Sequence, residues 1–198
     1  MVKVAILGFG VVGSGVAEVL SGNGAGIQKK ADELIEVKYI LDVRDFPDSP
    51  FAQHFVKDFS VIEHDPEVNV VVETIGGVGA ALDFTERALK QGKSVVTSNK
   101  ELVATHGRRL LDLAAQNNAV YLFEASVGGG IPILRPLTSC LAANELTQVT
   151  GILNGTTNYI LTRMIRAGLT FEQALKEAQD NGYAEKDPTA DVDGHDAC

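Results

Sequence analysis

Thiols are almost absent from this chain of 198 residues: Cys140 and Cys198 stand far apart, and there is no CxxC pair. Two such cysteines build neither a disulfide framework nor a thiolate zinc cage, and they predict reduced thiols and a cytoplasmic location. Positive charge is also short, with 17 Lys and Arg against 26 Asp and Glu and a formal net charge of -9. A surface of that sign repels phosphate backbones, which argues against nucleic acid as a partner. No apolar run approaches the roughly 20 residues a membrane span requires, and the glycines from Gly8 onward come too early for a signal-peptide core. His54, His64, His106 and His195 lack metal-ligand spacing. What remains is ordinary globular composition, 45% hydrophobic and 22% charged, long enough for one full domain and part of a second.

Strand and helix patterns alternate. Val2 to Leu7 reads as a buried strand that ends in glycine, and Val11 to Leu20 places Val12, Val16, Val19 and Leu20 at helical spacing. Gly22, Gly24 and Gly26 predict an interrupted or frayed helix as far as Ala31. A second strand over 35–43 puts Val37, Tyr39, Leu41 and Val43 on one face, and a loop follows over Arg44 to Pro50. Further strands are expected at Val68 to Thr74, Ser94 to Thr97 and Val120 to Phe123, with helices at Ala80 to Gln91 and Glu101 to Gln116. This order calls for a parallel sheet covered on both faces. The glycine-rich stretch Ser126 to Pro132 marks a boundary near residues 124–130. Beyond it the pattern predicts a helix over 133–143, a strand over 146–153, a helix over 158–166 behind an Asn154 to Thr157 turn, and a helix from Thr170 to Gln179 capped by Thr170. The chain then stops after Asp191 to Cys198 without a polar tail or a cap, which predicts a truncated protein.

Gly8, Phe9, Gly10, Val11, Val12 and Gly13 have the GxGxxG spacing. Gly8 permits a tight turn, Gly10 lets the backbone approach a pyrophosphate, and Gly13 lets helix and sheet pack closely, while the helix N-terminus offers amides to the anion. Strand before and helix after supply the context this motif needs. The end of the second strand carries both Asp42, an acceptor for a ribose 2′-hydroxyl, and Arg44, a fork for a 2′-phosphate, so NADP is favoured and NAD stays open. Thr74, in the run Glu73 to Gly77, and Ser98 with Lys100, in Thr97 to Glu101, lie at the same predicted sheet edge. The run Glu124 to Pro132 reads either as an interdomain hinge or as a turn whose carbonyl oxygens face a hard monovalent cation. The acids from Glu185 to Asp196 lack EF-hand spacing and suit either a solvated face or the ammonium group of a small amino acid.

In order along the chain, Gly8 to Gly13, Glu73 to Gly77, Ser98 to Glu101, Glu124 to Pro132, Gly151 to Asn158 and the acidic stretch from Gly182 to Asp196 together resemble homoserine dehydrogenase over residues 1–198. The resemblance implies an α/β architecture: a Rossmann-type, doubly wound parallel sheet over 1–128 followed by an incomplete α+β substrate and dimerisation domain over 129–198. It implies NAD(P)H-dependent reduction of aspartate 4-semialdehyde to homoserine, on the route to threonine, methionine and isoleucine. Lys100 then looks like the lysine beside the nicotinamide, and Asp191 and Asp196 like acids at the active site, with Asp196 counted among the catalytic residues. Gly155, Thr156, Tyr183 and Glu185 look like substrate contacts, Glu185 meeting the amino group. Glu124, Val127, Gly129 and Ile131 match a sodium site formed mostly from backbone oxygens. The resemblance further implies a small-molecule substrate, no membrane partner and a homo-oligomeric full-length protein. The family's proton-donor lysine falls beyond Cys198.

Overall fold

The computed structural model describes residues 1–152, 154–184 and 187–194. The chain divides into two compact units, Met1–Ala142 and Ala143–Cys198. The first opens with β1 (Val2–Leu7), α1 (Val11–Gly22), α2 (Gly24–Ala31) and β2 (Ile35–Leu41). A 3-10 turn at Ala52–His54 leads into β3 (Phe55–Val56) and α3 (Phe59–Glu63). Then come β4 (Val68–Glu73), α4 (Gly79–Lys90), β5 (Ser94–Thr97), α5 (Lys100–Gln116), β6 (Tyr121–Leu122) and α6 (Ala125–Gly128).

Among the described residues the strands form one six-stranded sheet in the order β3-β2-β1-β4-β5-β6, and every neighbouring pair is parallel. A parallel pair cannot be joined by a tight turn, so helices carry the longer crossovers and cover the faces. β1 shows why its sequence is apolar at nearly every position. Val4 and Ile6 pack with Ala17 of α1 and Ile40 of β2, whereas Ala5 and Leu7 belong to the opposite core with Val71, Val95, Leu102 and Leu110. Successive side chains of a strand point to opposite faces, so only a strand covered on both sides can bury consecutive apolar residues. α4 meets the second of these cores with Ala81, Thr85, Ala88 and Leu89, all buried at spacings of three or four.

Several elements depart from the sequence expectation. β2 does not alternate throughout, because its pairing with β1 runs Val4 with Val37 and then Ala5 with Tyr39, which leaves Lys38 as an extra residue. That bulge inverts the pattern: Val37 packs with Val4 and Ile6, while Tyr39 and Leu41 turn to the other core. Val43 lies beyond the strand and is exposed. The glycines near residue 24 break the first helix only at Asn23, and α2 continues to Ala31 before Asp32 ends it in a left-handed conformation, φ 56°. β3 and α3 carry too little periodicity to be expected from so short a stretch, and α3 is held by the Asp58 carboxylate accepting the Ser60 amide at 2.8 Å.

The segment expected as a helix over 133–143 is helical only over 134–140, and its last five residues, Pro136–Cys140, widen into a π-helical turn. Residues 146–152 are exposed and form no strand, since no neighbouring strand pairs with their backbone among the described residues. The second unit contains α7 (Gly155–Ala167), α8 (Phe171–Asp180) and α9 (Thr189–Val192). Ile160 of α7 packs with Ala174 and Ala178 of α8. Thr170 caps α8 as its sequence predicts: its hydroxyl accepts the Gln173 amide at 3.3 Å, and its own amide donates to Gln173 Oε1 at 3.0 Å.

Leu89, one residue before the end of α4, is fully buried. Leu89→Ala is therefore expected to destabilise the first unit by about 2–5 kcal/mol, whereas Val11→Ala, at a residue 92% exposed, stays within about 0.5 kcal/mol. Chemical denaturation of both variants checks this.

Candidate functional site

The site is built where the sheet changes direction. β1 lies between β2 and β4, and the chain leaves these strands toward opposite sides, which opens a crevice beyond their carboxyl ends. The β1 loop fills that point. Gly8 has φ +90°, and a Cβ there would lie 2.9 Å from the Thr74 carbonyl oxygen. A Cβ on Gly13 would lie 2.0 Å from the Gly8 oxygen, so α1 can begin against the strand only because residue 13 has no side chain. Gly10 is different: nothing lies within 4 Å of its Cβ position. The backbone is open to a ligand at that residue.

The loop is tied to both neighbouring strands. The Gly8 amide donates to Leu41 O at 2.8 Å, and the Thr74 hydroxyl donates toward Leu7 O at 2.9 Å and Gly8 O at 3.1 Å. The Phe9 amide donates to Asp42 Oδ2 at 2.7 Å. Asp42 also takes the Arg44 amide at 2.8 Å, Nε at 3.1 Å and Nη2 at 3.0 Å. The Arg44 guanidinium, together with these amides, holds the buried carboxyl of Asp42 well below the usual carboxylate range, against the opposing effect of burial. Asp42 thus anchors the glycine loop and orients Arg44, whose guanidinium also lies 5.1 Å from the Phe46 ring. Phe9 in turn packs edge-on against Phe46 and Phe55, with centroids 5.1 and 5.0 Å away.

A cavity of about 390 Å³ opens here, lined in part by Gly8, Gly10, Asp42, Arg44, Lys57 and Thr74. Lys57 escaped the sequence reading. Its ammonium donates to the carbonyls of Asp42, Val43 and Arg44 at 3.2, 3.2 and 2.6 Å and pairs with Asp45 at 2.7 Å. No local motif marks it, since it reaches the site from beyond β3. Of the expected contacts, Val11 and Val12 stand exposed on the first turn of α1. Half-buried Ser98 and exposed Lys100 lie at the end of β5, outside the lining of this cavity. With four bonds to Asp42, the acid expected as a ribose acceptor is already engaged.

Glu124 carries its own finding. Its Oε1 accepts the amides of Ile133 and Leu134, the latter at 2.8 Å, and Oε2 accepts the Arg135 amide at 2.8 Å. These amides, Ile133 foremost, hold Glu124 below the ordinary carboxylate range. Val127, Gly129 and Ile131 are exposed, and Gly129 has φ +58°. A cation at these four residues would draw on main-chain oxygens, because the one carboxylate is already satisfied by amides.

In the second unit, Gly155, Thr156 and Tyr183 line a cavity of about 560 Å³ together with Asn154 and Tyr159. The Thr156 hydroxyl donates to Tyr183 O at 2.9 Å. Buried Asn154 caps α7 by accepting the Thr157 amide at 2.7 Å, and its Nδ2 donates to Asp191 Oδ1 at 2.7 Å. Three expected substrate contacts thus share one cavity, with Asp191 tied to its wall. Glu185 and Asp196 lie outside the described residues.

A parallel sheet in this strand order, with a glycine loop opening a helix at the switch point, defines an α/β protein of the dinucleotide-binding class. Residues 8–124 match the model of the homoserine dehydrogenase NAD binding domain, and residues 132–198 match that of homoserine dehydrogenase; the chain belongs to the homoserine dehydrogenase family. It is 43% identical over 202 residues to homoserine dehydrogenase of Bacillus subtilis, a match covering 100% of this chain and 46% of that protein. The crystal structure of a Thiobacillus denitrificans homoserine dehydrogenase superposes with TM-score 0.93 at 39% identity, covering 99% of this chain and 46% of the other. A hyperthermophilic archaeal homoserine dehydrogenase in complex with NADPH superposes with TM-score 0.84 at 28% identity, covering 99% and 66%. The chain thus spans about half the length of the curated relatives it matches.

The two glycines with opposite surroundings separate folding from binding. Gly13→Ala drives a methyl group into the Gly8 carbonyl and is expected to lower the melting temperature and abolish dinucleotide binding together. Gly10→Ala, at φ -82°, should leave the melting temperature unchanged and weaken binding alone; thermal melts and calorimetry on both variants check this.

Proposed function

We propose that this chain carries the nicotinamide-cofactor site, and part of the substrate site, of an enzyme that reduces L-aspartate 4-semialdehyde to L-homoserine. The observation that carries the reading is the β1 loop: a cradle closed to side chains at Gly8 and Gly13, open at Gly10, and flanked by Arg44 and Lys57. The amides of the first turn of α1 face a pyrophosphate with the favourable end of the helix dipole. Two cations on one wall favour NADP over NAD, because a 2′-phosphate can take the place of Asp42 on part of the Arg44 fork. NAD remains the second reading, supported by the fact that Asp42 already neutralises Arg44 in this structure.

The bound dinucleotide supplies a hydride for the aldehyde carbon, and a proton must reach the aldehyde oxygen. Lys100, the first residue of α5, places positive charge at the end of β5, where it can stabilise developing alkoxide charge. Ser98 beside it is a cofactor contact. Gly155, Thr156, Tyr183 and Asp191 form the substrate wall, and the proposal gives Glu185 the substrate ammonium group and Asp196 a place among the acids of the active site. A sodium ion on main-chain oxygens at Glu124, Val127, Gly129 and Ile131 would brace the turn between residues 124 and 131 without entering the chemistry. The functional division falls at 128/129, between the two family matches, and the full-length enzyme is a cytoplasmic homo-oligomer. No helix among the described residues is long and apolar enough to cross a membrane.

Arg44→Ala is expected to weaken NADPH by about 1.5–3 kcal/mol, the scale of a hydrogen bond to a charged group, and to leave NADH nearly unchanged. Calorimetry with both cofactors decides it, and equal losses would assign Arg44 to the scaffold. The reaction itself is read from NADPH absorbance on addition of aspartate 4-semialdehyde, in a chain extended to the length of its relatives. Failure to form homoserine while NADPH binds would overturn the substrate assignment.

A further inference from the structure

Binding of the adenosine end leaves one charged group without a task. Glu73, the last residue of β4, is completely buried. Its Oε1 accepts the amides of Ile75 at 2.8 Å and Gly76 at 3.4 Å, and its Oε2 accepts the Thr97 hydroxyl at 2.6 Å. Thr97 Oγ1 accepts the Asn99 amide at 2.9 Å. Asn99 is buried as well; its Nδ2 donates to Gly77 O at 2.6 Å, and its Oδ1 accepts the Leu102 amide at 3.0 Å, capping α5. The path from Glu73 through Thr97 and Asn99 to Gly77 closes on Glu73 through the loop backbone.

A buried carboxylate is costly unless each lone pair finds a donor. An apolar side chain would pack the end of β4 without that cost, so packing does not account for the charge. What the carboxylate does is hold a loop that has little stiffness of its own, because Gly76 and Gly77 sit at φ +83° and +65°. Asn99 then fixes that loop to the first turn of the helix that starts with Lys100. Strands spaced by about 4.8 Å separate β2 from β5 by roughly three spacings, with β1 and β4 between them. A dinucleotide whose adenosine end meets Arg44 therefore extends its other half toward the loops after β4 and β5.

We propose that Glu73, acting through Thr97 and Asn99, is a positioning residue: it locks the loops at 75–77 and 98–100 into one platform for the nicotinamide half of the cofactor and sets Lys100 upon it. This rests on the cofactor reading above. The platform is preformed, so binding does not have to order the two loops, the first of which contains Gly76 and Gly77.

Thr97→Val removes the link to the carboxylate and keeps the side-chain shape, and Thr97→Ser restores the hydroxyl. Both variants and the 198-residue parent are titrated calorimetrically with NADPH and with 2′,5′-ADP, which contains the adenosine half only, and their melting temperatures are recorded. The expected result is that Thr97→Val binds 2′,5′-ADP like the parent but NADPH roughly tenfold more weakly, about 1.4 kcal/mol, and that Thr97→Ser recovers to within about twofold of the parent. Glu73→Gln, which keeps an acceptor for the loop amides, serves if Thr97→Val does not fold; it should show the same contrast between the two ligands. Equal loss of both ligands, or loss of neither, would make the network a scaffold and overturn the proposal. A parent that binds neither ligand overturns the cofactor reading itself.

Discussion

The separation of α1 from the end of β1 leaves no room for a side chain. The Cβ that residue 13 would carry falls 2.0 Å from the Gly8 oxygen, and the one that Gly8 would carry falls against the Thr74 backbone. Three strands meet at this contact. Leu41 O receives the Gly8 amide, and Leu7 O receives both the amide and the hydroxyl of Thr74. The first amides of α1 therefore emerge directly above the junction of β2, β1 and β4, at a fixed distance from each. Any side chain that pushed α1 outward would displace the whole set of donors, which is why the glycines cannot be treated as mere flexibility.

Electrostatics had to be solved locally, because the chain as a whole carries a net charge of -9 and an anionic cofactor approaches it against that sign. The helix dipole offers about half a charge at the N-terminus of α1. Asp42 would cancel this if left bare. Its four hydrogen bonds, two of them from the Arg44 fork, turn it from a repelling charge into a tie between the glycine loop and β2. Lys57 adds a cation held by three carbonyls of the same turn. The wall facing the cavity is thereby relieved of the negative sign that dominates the rest of the surface.

The sequence was most legible where one local rule suffices. β5 falls at 94–97 as expected, and β1 at 2–7, because short apolar runs bounded by turns have few alternatives. β2 was misread in its faces, since the bulge at Lys38 depends on pairing with β1 and leaves no mark on its own segment. Lys57 and the carboxylate task of Glu73 were invisible for the same reason: their partners lie 12 or more positions away, at Arg44 and Thr97. Past residue 130 the expectation of a strand at 146–153 rested on apolar alternation alone. A strand also requires a partner, and the described residues offer none.

Both units solve one problem with one residue type. Asn99 and Asn154 are each buried, and each accepts an amide from the first turn of its helix, Leu102 at 3.0 Å and Thr157 at 2.7 Å. Each then gives a side-chain donor to another segment of its own unit: Asn99 to Gly77 O at 2.6 Å, Asn154 to Asp191 Oδ1 at 2.7 Å. Serine, threonine or aspartate would cap either helix equally well. None of them could also reach across with an amide donor, since aspartate has only acceptors and a hydroxyl is too short and offers one proton. At Asn154 the distinction is sharper still, because an aspartate there would face the Asp191 carboxylate as a like charge. The choice of asparagine at both helix starts is thus set by the second bond, the one that joins the cap to a separate segment, the turn at Gly77 in one case and α9 in the other.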